Sequence, residues 1–443
     1  MTRIFFRELT NAWLAALVCF AGAAAQSGIA NAHESAPDNP VLEWNQIFID
    51  TLIATTSPNA ASPRLGAIVH TAIFDAYNGI ERRYTPIFVQ PDAARGASRQ
   101  AAVIAAAHTT LVGLFPTRQA ELDASFEASL AKLDNVGHGS RARERAMAWQ
   151  SRRRGIEWGT AVGQAVLAWR AEDGFSTTYP AFAGGMAIGQ WRPVPPATAM
   201  SSQSMAFTEM FVLASNTQFR PAAPRSLTSS AYSYDFNTVK ALGRKTGSTR
   251  TEDQTALAPF WEGNASVHWN QAANQIASAD CLSTSATARL LAVLNIAMAD
   301  TVFTIWSAKR SNGEDPGVVT WRPATSIPLA AIDGNPDTTA DVAWTPLMTT
   351  PSHPEYPAGH PSLNGSAATV LLSVFGDRQK FTLTTAGQPN RTYTSITQAR
   401  VDGNNARVWG GMHYPSSVAI SDGVGRRVAR YVDRNSMQRL KRH

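Results

Sequence analysis

Apolar side chains recur at helical spacing along nearly the whole chain. The pattern is clearest in four segments, residues 63–77, 99–114, 141–170 and 285–309. Alternation with the two-residue period of a strand is rare, and only the threonine-rich stretch 381–395 is predicted to form a small β-hairpin. Proline-rich loops at 191–197 and 219–224 separate helical segments. The pattern therefore predicts an all-α protein of packed helical bundles.

The first residues have the pattern of an export signal. Arg3 and Arg7 precede a short alanine-rich apolar run, and a small-x-small cleavage motif ends at Ala32. The run is shorter than a typical membrane span, and no other long apolar segment is expected. We predict a signal peptide over residues 1–32 and a periplasmic or secreted chain with no membrane span after cleavage; the alternative is an uncleaved anchor. Cleavage leaves Cys281 as the only cysteine, so no intrachain disulfide is expected.

The composition is that of an ordinary globular protein. The chain has 443 residues, of which 44% are hydrophobic and 16% charged, and its net charge is +6. Lysine and arginine are spread along the sequence without a basic run, which argues against a nucleic-acid interface. We divide the mature chain into an N-terminal helical region, 33–200, and a C-terminal helical region, 201–443. Because no flexible linker separates them, the two regions are expected to form one compact unit, whose oligomeric state the sequence leaves open.

The stretch PAGHPSLNG places His360 at the predicted start of a helix. Pro361 suits the first helical position, where its missing N–H costs nothing, and the helix is expected to stop at Gly376. Because Gly359 has no side chain, a ligand can approach the backbone amides closely. These amides and the positive end of the helix dipole both attract anions. A histidine here can transfer a proton to or from a bound oxyanion. The alternative is a histidine that only caps the helix.

Two further segments supply cations and a second histidine. Arg407 and His413 are six residues apart, and the glycines between them allow a helix to end so that both side chains converge. Trp306 and Lys309 are three residues apart on one predicted helical face, and Arg322 follows a tryptophan directly. The alternatives are a surface arginine, a helix-terminal histidine and a lysine whose charge reaches solvent.

Gathered in one place, these residues suit a tetrahedral oxyanion such as phosphate or vanadate. Each cation within reach of the anion could contribute about 4 kcal/mol at an effective dielectric of about 20, before desolvation is subtracted. No acidic cluster with metal-ligand spacing lies in the same stretch. A zinc site at His353 and His360 is a weaker alternative because no third ligand is evident. His70 lies in an apolar helical segment and is assigned to the core.

These segments resemble, in the same order, the motifs of the vanadium-dependent haloperoxidases and of the wider type 2 phosphatidic acid phosphatase superfamily. The matching positions are Lys309, Arg322-Pro323, Pro357-Ala358-Gly359-His360, and Arg407 with His413. In the N-terminal half, WNQIFIDTLI and SPRLGAIVHTAIFDAYNGI are similar to bacterial members. The resemblance covers most of the mature chain and implies a helical fold built around two four-helix bundles.

The resemblance also implies a role for each matching residue. His413 would bond the vanadium of a vanadate cofactor, and His360 would be the acid–base residue. The oxygens would be neutralised by three cations and bonded by one amide, namely Lys309, Arg322, Arg407 and the amide of Gly359. Lys309 would in addition be catalytic, by polarising the peroxide. The implied substrates are hydrogen peroxide, a halide and a small organic molecule.

Three departures from the family pattern bear on the chemistry. Ala358 replaces a serine whose hydroxyl contacts an oxyanion oxygen, a loss of about 1 kcal/mol. Ser417 stands where phosphatase members carry an aspartate that orients the histidine, so His413 is expected to lack a charged partner and to be a weaker nucleophile. The connection from Lys309 to Arg322 is longer than usual, which leaves their convergence open.

His353 and Trp306 are assigned to the surroundings of the halide and the oxyanion. His353 lies seven residues before His360, where brominating relatives resemble each other in carrying histidine and chlorinating ones phenylalanine. This favours bromide or iodide over chloride, the alternative being a histidine that only packs a loop. We therefore predict a vanadate-dependent haloperoxidase that favours bromide. The alternatives are an acid phosphatase that binds phosphate and forms a phosphohistidine at His413, and a non-catalytic helical protein that binds an oxyanion.

Overall fold

A computed structural model of the protein describes residues 39–133, 142–315 and 317–441, so the predicted signal peptide, residues 1–32, lies outside the described residues. Within the described residues the chain forms thirteen α-helices. They are α1 (Pro40–Ala54), α2 (Ser62–Glu81), α3 (Arg99–Leu114), α4 (Gln119–Lys132), α5 (Ala142–Ala171), α6 (Ser230–Leu242), α7 (Glu252–Phe260), α8 (Ala265–Ala279), α9 (Thr284–Glu314), α10 (Pro323–Ser326), α11 (Gly359–Phe375), α12 (Ile396–Trp409) and α13 (Pro415–Asn435). The predicted all-α class is confirmed.

The observed elements follow the apolar pattern closely. Each of the four segments with the clearest helical spacing forms one long helix, namely α2, α3, α5 and α9. Helix α3 has both predicted ends, whereas the ends of α2, α5 and α9 differ by a few residues, and α9 continues to Glu314 beyond the predicted end at Lys309. Two short strands, β1 (Phe381–Leu383) and β2 (Arg391–Tyr393), pair antiparallel where the hairpin was predicted. The helical and strand periods in the sequence therefore locate these elements correctly.

Short polar side chains fix where several helices begin. Asn39, Ser98 and Ser283 each accept a hydrogen bond from the first turn of α1, α3 and α9, respectively. Thr251 and Gln254 form a reciprocal capping box at the start of α7. Such a cap typically stabilises a helix by about 1 kcal/mol. In this sequence, a short polar residue directly before an apolar run therefore marks the start of a helix.

Helix α9 is the centre of the fold. It packs against α2 from the N-terminal half and against α11 and α13 from the C-terminal half. By length and composition alone α9 would pass as a membrane span, an exception to the expectation that no further long apolar segment follows the signal. The whole apolar stretch is buried inside the protein. The proposed boundary after residue 200 lies between α5 and α6, and helices from both sides of it pack against α9.

Two buried carboxylates hold irregular segments against the helices. Asp75 of α2 accepts three backbone N–H groups, from residues 87–89, each over 2.9 Å. Asp300 of α9 accepts three from residues 211–213, over 2.7 to 3.0 Å. Burial raises the pKa of each carboxyl to about 6, although these hydrogen bonds lower it. Hydrogen bonds to a side chain thus fix both loops against the helices.

His70 lies in the core, where the sequence assigned it. It is fully buried, its Nε2 lies 2.9 Å from Asn45 Oδ1, and its ring meets Phe48 edge-on. Burial lowers the pKa of His70 from 6.5 to about 3. Between these two pH values the unfolded chain therefore binds a proton that the folded protein does not bind.

Replacing His70 with glutamine should flatten the acid side of the stability profile. Because the folded-state pKa lies below the unfolded one, this histidine removes about 1.4 kcal/mol of unfolding free energy per pH unit as the pH falls below 6.5. The variant lacks this group, so its unfolding free energy should fall less steeply. Urea unfolding of both proteins at several pH values between 6.5 and 4 measures the two slopes. Parallel profiles for the two proteins would contradict the prediction.

Candidate functional site

The predicted oxyanion residues meet in the C-terminal half of the chain. They are Lys309 in α9, Arg322 before α10, His360 in the first turn of α11, Arg407 in the last turn of α12 and His413 before α13. Four are buried, and His360 is half-buried. Three of them, His360, Arg407 and His413, line a cavity of about 520 Å³ together with Trp306, His353 and Gly359. Lys309 and Arg322 do not line it, but Arg322 bonds two of the lining histidines, His353 and His413.

The end of α12 brings Arg407 and His413 together. The helix ends at Trp409, and Gly411 follows in the left-handed region with a φ of 75°. A Cβ on Gly411 would lie 2.6 Å from the carbonyl oxygen of Gly243, so only glycine fits. The amide of His413 then donates to the carbonyl of Arg407 over 3.2 Å. The helix therefore ends between the two residues, as the glycines predict, and both residues line the cavity.

Helix α11 begins two residues earlier than predicted. Its first residue is Gly359 rather than Pro361, and it ends directly before Gly376, as expected. The preceding residue, Ala358, is extended, and its amide donates to the hydroxyl of Ser421 over 2.7 Å. This bond holds Ala358 in the extended conformation, and the helix begins at the next residue, Gly359. The first amides of α11, including that of Gly359, have no acceptor within the helix and are available to the cavity.

The imidazole of His413 is held in one orientation and one tautomer. Its Nδ1–H donates to Glu355 Oε1 over 2.8 Å, and Arg322 Nη1 donates to its Nε2 over 3.2 Å. Burial is the main cause that lowers the pKa of His413 well below 6.5, and Arg322, Lys309 and Arg407 add to the shift. The ring is therefore neutral, with the lone pair of Nε2 on the side of the cations.

Glu355 is a site residue that the sequence reasoning missed. Besides His413, its carboxylate accepts from the Ser417 hydroxyl over 2.8 Å and from the Tyr414 amide over 3.1 Å. The expectation that His413 lacks a charged partner is therefore wrong, because Ser417 donates to a carboxylate that itself bonds the imidazole. Burial raises the pKa of Glu355, and the nearby cations oppose this shift. The available signal was an acidic residue in HPEYPAGH, beside the histidine motif.

One loop segment holds both Lys309 and Arg322. Lys309 Nζ donates to the carbonyls of Pro354 and Glu355 over 2.6 and 3.2 Å. Arg322 donates to the carbonyl and to Nδ1 of His353 over 2.9 and 2.8 Å. Burial lowers the pKa of Lys309 well below 10.5 and that of Arg322 to about 9. The long connection between the two residues does not keep them apart, so the question of their convergence is answered.

The Arg407 guanidinium has unused hydrogen-bond donors. The residue is 2% exposed, and its Nε and Nη1 have no partner among the residues that the structure describes. Burial lowers the pKa of Arg407 to about 10. A buried guanidinium with unused N–H groups is costly unless an acceptor fills the space beside it. The cavity beside it is also lined by three histidines and a helix N-terminus, so a small oxyanion is the guest whose chemistry fits.

His360 is held from the N-terminal half of the protein. The side-chain amide of Asn59, in the loop between α1 and α2, donates to His360 Nε2 over 2.7 Å. Burial is the main cause that lowers the pKa of His360 well below 6.5. Backbone hydrogen bonds to Glu262 and Gly263 oppose this shift of the pKa. Because Nε2 accepts from Asn59, Nδ1 carries the proton of the neutral ring. Asn59 is a second residue that the sequence reasoning missed, and no local pattern marks it.

Trp306 and His353 form one wall of the cavity. Their ring centroids are 5.2 Å apart at 52°, and a Cβ on Gly359 would lie 3.3 Å from the tryptophan ring. Because Arg322 donates to His353 Nδ1, only Nε2 of this histidine is left for the cavity. Burial lowers the pKa of His353, and Lys309 and Arg322 lower it further. His353 is therefore neutral, with its remaining nitrogen beside an indole surface.

A cation site of the zinc type finds no support in the described residues. Across 39–133, 142–315 and 317–441, no group of three or more histidine, cysteine, aspartate or glutamate side chains could hold a metal ion. His353 and His360 therefore lack the third ligand that zinc requires. The lining of the cavity instead contains the buried cation Arg407, beside Glu262, and Arg322 bonds two of the lining histidines. Such a site suits a metal only when the metal enters as part of an oxyanion.

The chain is similar to known proteins in one domain and in its fold. Residues 289–442 match the family model of the VCPO second helical-bundle domain. The fold is similar to that of a bacterial vanadium-dependent iodoperoxidase, with 21% identity, a TM-score of 0.72, and coverage of 94% of this chain and 100% of that chain. A bacterial vanadium-dependent chloroperoxidase is similar in its holo form, with 15% identity, a TM-score of 0.62 and coverage of 85% and 92%. Its apo form gives 15% identity, a TM-score of 0.64 and coverage of 85% and 93%. No curated protein matches in a sequence search.

Proposed function

We propose that this chain, whose residues 289–442 match the family model of the VCPO second helical-bundle domain, is a vanadate-dependent haloperoxidase of the vanadium haloperoxidase family. Its substrates would be hydrogen peroxide, a halide and a small organic molecule. Bromide is the proposed halide, because His353 occupies the position discussed above. The relatives with similar folds are named as an iodoperoxidase and a chloroperoxidase, so halide preference is a proposal about this chain alone. The proposed signal peptide would place the enzyme in the periplasm or outside the cell.

The observation that carries the proposal is the buried guanidinium of Arg407. Two of its nitrogens have no partner among the described residues, and they lie beside a cavity that also receives His413. Lys309 and Arg322 are already bonded to loop carbonyls, so their positions do not depend on a guest. Preorganised donors of this kind stabilise an anion without moving when it binds. The site is therefore built for a small, highly charged oxyanion.

In this proposal, vanadate fits between the cations and His413. Nε2 of His413 carries no proton and would be the ligand to vanadium, in place of the hydrogen bond that it accepts from Arg322. Arg407, Arg322 and Lys309 would offset the charge of the oxygens, and the Gly359 amide would donate to one of them. Bound vanadate supplies a Lewis acid that activates hydrogen peroxide towards a halide. The chain itself supplies charge, orientation and a proton relay.

His360 is the proposed proton carrier. Its Nε2 is bonded to Asn59, so Nδ1 is the atom that would exchange a proton with the peroxide or with a vanadate oxygen. In the neutral ring the proton lies on Nδ1, because Nε2 accepts from Asn59, so Nδ1–H would act first as a hydrogen-bond donor to an oxygen of the guest. The bond to Asn59 keeps the ring from turning away from the cavity.

A phosphatase using the same cavity is the second candidate, and Glu355 favours it. A histidine attacks phosphorus well when a carboxylate bonds its Nδ1–H, and Glu355 makes this bond over 2.8 Å. Phosphate would bind where vanadate binds, and His413 Nε2 would form the phosphohistidine. The objection raised by Ser417 against this reaction therefore no longer holds. The missing hydroxyl at Ala358 still counts mildly against both reactions.

Bromination of a phenol dye by the mature chain tests the proposal. We expect the reaction to require both orthovanadate and hydrogen peroxide, and to fall by more than about 100-fold in His413→Ala, since even partners one bond removed from a metal typically contribute 10–100-fold. His108→Ala is the matched control, because His108 pairs with Asp123 outside the cavity and its loss should leave the rate unchanged.

Hydrolysis of a phosphate monoester without vanadate, measured in parallel, separates the alternatives. Hydrolysis that vanadate inhibits, with no bromination, would favour the phosphatase. A protein that binds phosphate but is silent in both assays would be a non-catalytic oxyanion binder, and either result would contradict the haloperoxidase proposal.

A further inference from the structure

Within the described residues, the carboxylate of Glu355 accepts its hydrogen bonds from His413 and from the start of α13. Oε1 accepts from His413 Nδ1 and from the Tyr414 amide, and Oε2 accepts from Ser417. The side chain is 2% exposed, so these bonds replace water almost completely. Three independent donors therefore fix the carboxylate in position.

Charge balance alone does not explain this arrangement. Lys309 and Arg322 are both close enough to Glu355 to influence its pKa, yet among the described residues neither forms an ion pair with its carboxylate within 4 Å. Lys309 bonds the backbone carbonyl of Glu355 instead, over 3.2 Å. A carboxylate that served only to neutralise cations would be expected to bond them directly. Here it bonds the ring that faces them.

We propose that Glu355 is a positioning residue that makes His413 a strong donor to a metal-centred oxyanion; this inference rests on the proposed function. By accepting a hydrogen bond from Nδ1–H it keeps the lone pair on Nε2, and its negative charge increases the electron donation of the ring. Ser417 holds the second oxygen of the carboxylate. The carboxylate that orients the ring is thus delivered by the segment before α11 rather than by α13.

The proposal makes opposite predictions for two anions of similar shape. Inorganic phosphate is held by charge and hydrogen bonds alone in a binding experiment, whereas vanadate also forms a bond to His413. Removing the charge of Glu355 makes the cavity more positive, which favours any anion, and at the same time weakens the donation from His413. Only vanadate should suffer from the second effect.

Calorimetric titration of Glu355→Gln with orthovanadate and with phosphate, on the same protein sample, tests this. We expect vanadate affinity to fall by about 10- to 100-fold and phosphate affinity to stay equal or rise. Because both anions are measured on one sample, a partly unfolded variant lowers the number of sites without changing the ratio of affinities. Asp75→Asn is the matched control for loss of a buried carboxylate outside the cavity, and its ratio should equal that of the wild type.

Moving the carboxylate to residue 417 gives a second, independent readout. Ser417→Asp alone places two carboxylates side by side and should reduce vanadate affinity. In the Glu355→Gln background the same substitution should restore vanadate affinity to within about threefold of the wild type. An aspartate at residue 417 can accept a hydrogen bond from Nδ1–H of His413. A merely structural role for Glu355 predicts no rescue.

The possible results separate the inference from its premise. A wild-type protein that binds vanadate no more tightly than phosphate overturns the proposed function and this inference with it. A wild type that prefers vanadate, with the preference intact in Glu355→Gln, overturns the inference alone. Parallel loss of both anions in Glu355→Gln, without rescue by Ser417→Asp, also overturns it.

Discussion

Replacing Arg407 with methionine should reduce vanadate affinity by more than about 100-fold while leaving the vanadate-free protein at least as stable as the wild type. A charge-assisted hydrogen bond contributes about 1.5–3 kcal/mol, and Arg407 has two unused nitrogen donors. Without a guest the same guanidinium is a buried charge, and methionine removes that cost at similar length. Lost binding with retained or increased stability is the signature of a residue that serves a ligand.

Arg400 provides the matched control in the same helix. Its Nη1 pairs with Asp422 Oδ1 over 2.7 Å, so its charge is already used within the protein. Arg400→Met should lower the unfolding free energy and leave vanadate affinity unchanged. Calorimetric titration and urea unfolding of both variants make the comparison. If Arg407→Met bound vanadate like the wild type, Arg407 would not hold the guest and the site would be assigned wrongly.

A single methyl group on Gly425 should destabilise the protein by about 3 kcal/mol or more. Its Cβ would lie 1.9 Å from the carbonyl oxygen of Ser362 and 2.8 Å from the amide nitrogen of Ser366. Both atoms belong to the backbone of α11, so no side chain can move aside, and α11 and α13 must separate. Because α11 carries His360 and α13 follows His413, the cavity should open together with this contact. Vanadate affinity should therefore fall along with stability.

Gly423, two residues earlier in α13, has a different environment. The nearest atom to a Cβ there is Arg427 Nη1 at 3.6 Å, the end of a flexible side chain. Gly423→Ala should therefore be stabilising by about 1 kcal/mol, the usual preference of a helix for alanine over glycine. Thermal unfolding of the two alanine variants gives the comparison directly. Equal melting temperatures would mean that close approach of α13 to α11 does not hold this half of the molecule together.

The helices could be predicted because each repeats its apolar positions with a period that the sequence displays directly. The meeting of Arg407 and His413 could be predicted too, since the two glycines between them permit a turn that other residues resist. The start of α11 differs, because the sequence predicts Pro361 as its first residue and the helix begins two residues earlier, at Gly359. Ala358 in fact ends the extended segment by its bond to Ser421, which the sequence does not reveal.

Glu355 and Asn59 lay beyond this kind of reasoning. Asn59 bonds a histidine 301 positions away, and Glu355 bonds one 58 positions away. No local period encodes such a pair, because each depends on how loops pack after the helices have assembled. Ser417 was misleading for the same reason: it occupies the position expected to carry a charge, while the charge arrives from another segment. Sequence motifs therefore identify residues that bind the guest, such as His413, more readily than residues that orient them, such as Glu355.

The most direct test of the account is a crystal structure of the mature chain grown with orthovanadate. We expect vanadium at bonding distance from His413 Nε2, with Glu355 still bonded to Nδ1. The vanadate oxygens should face three cations and one amide, namely Arg407, Arg322, Lys309 and the amide of Gly359. Vanadium bound elsewhere, or a cavity that contains only water at saturating vanadate, would contradict it.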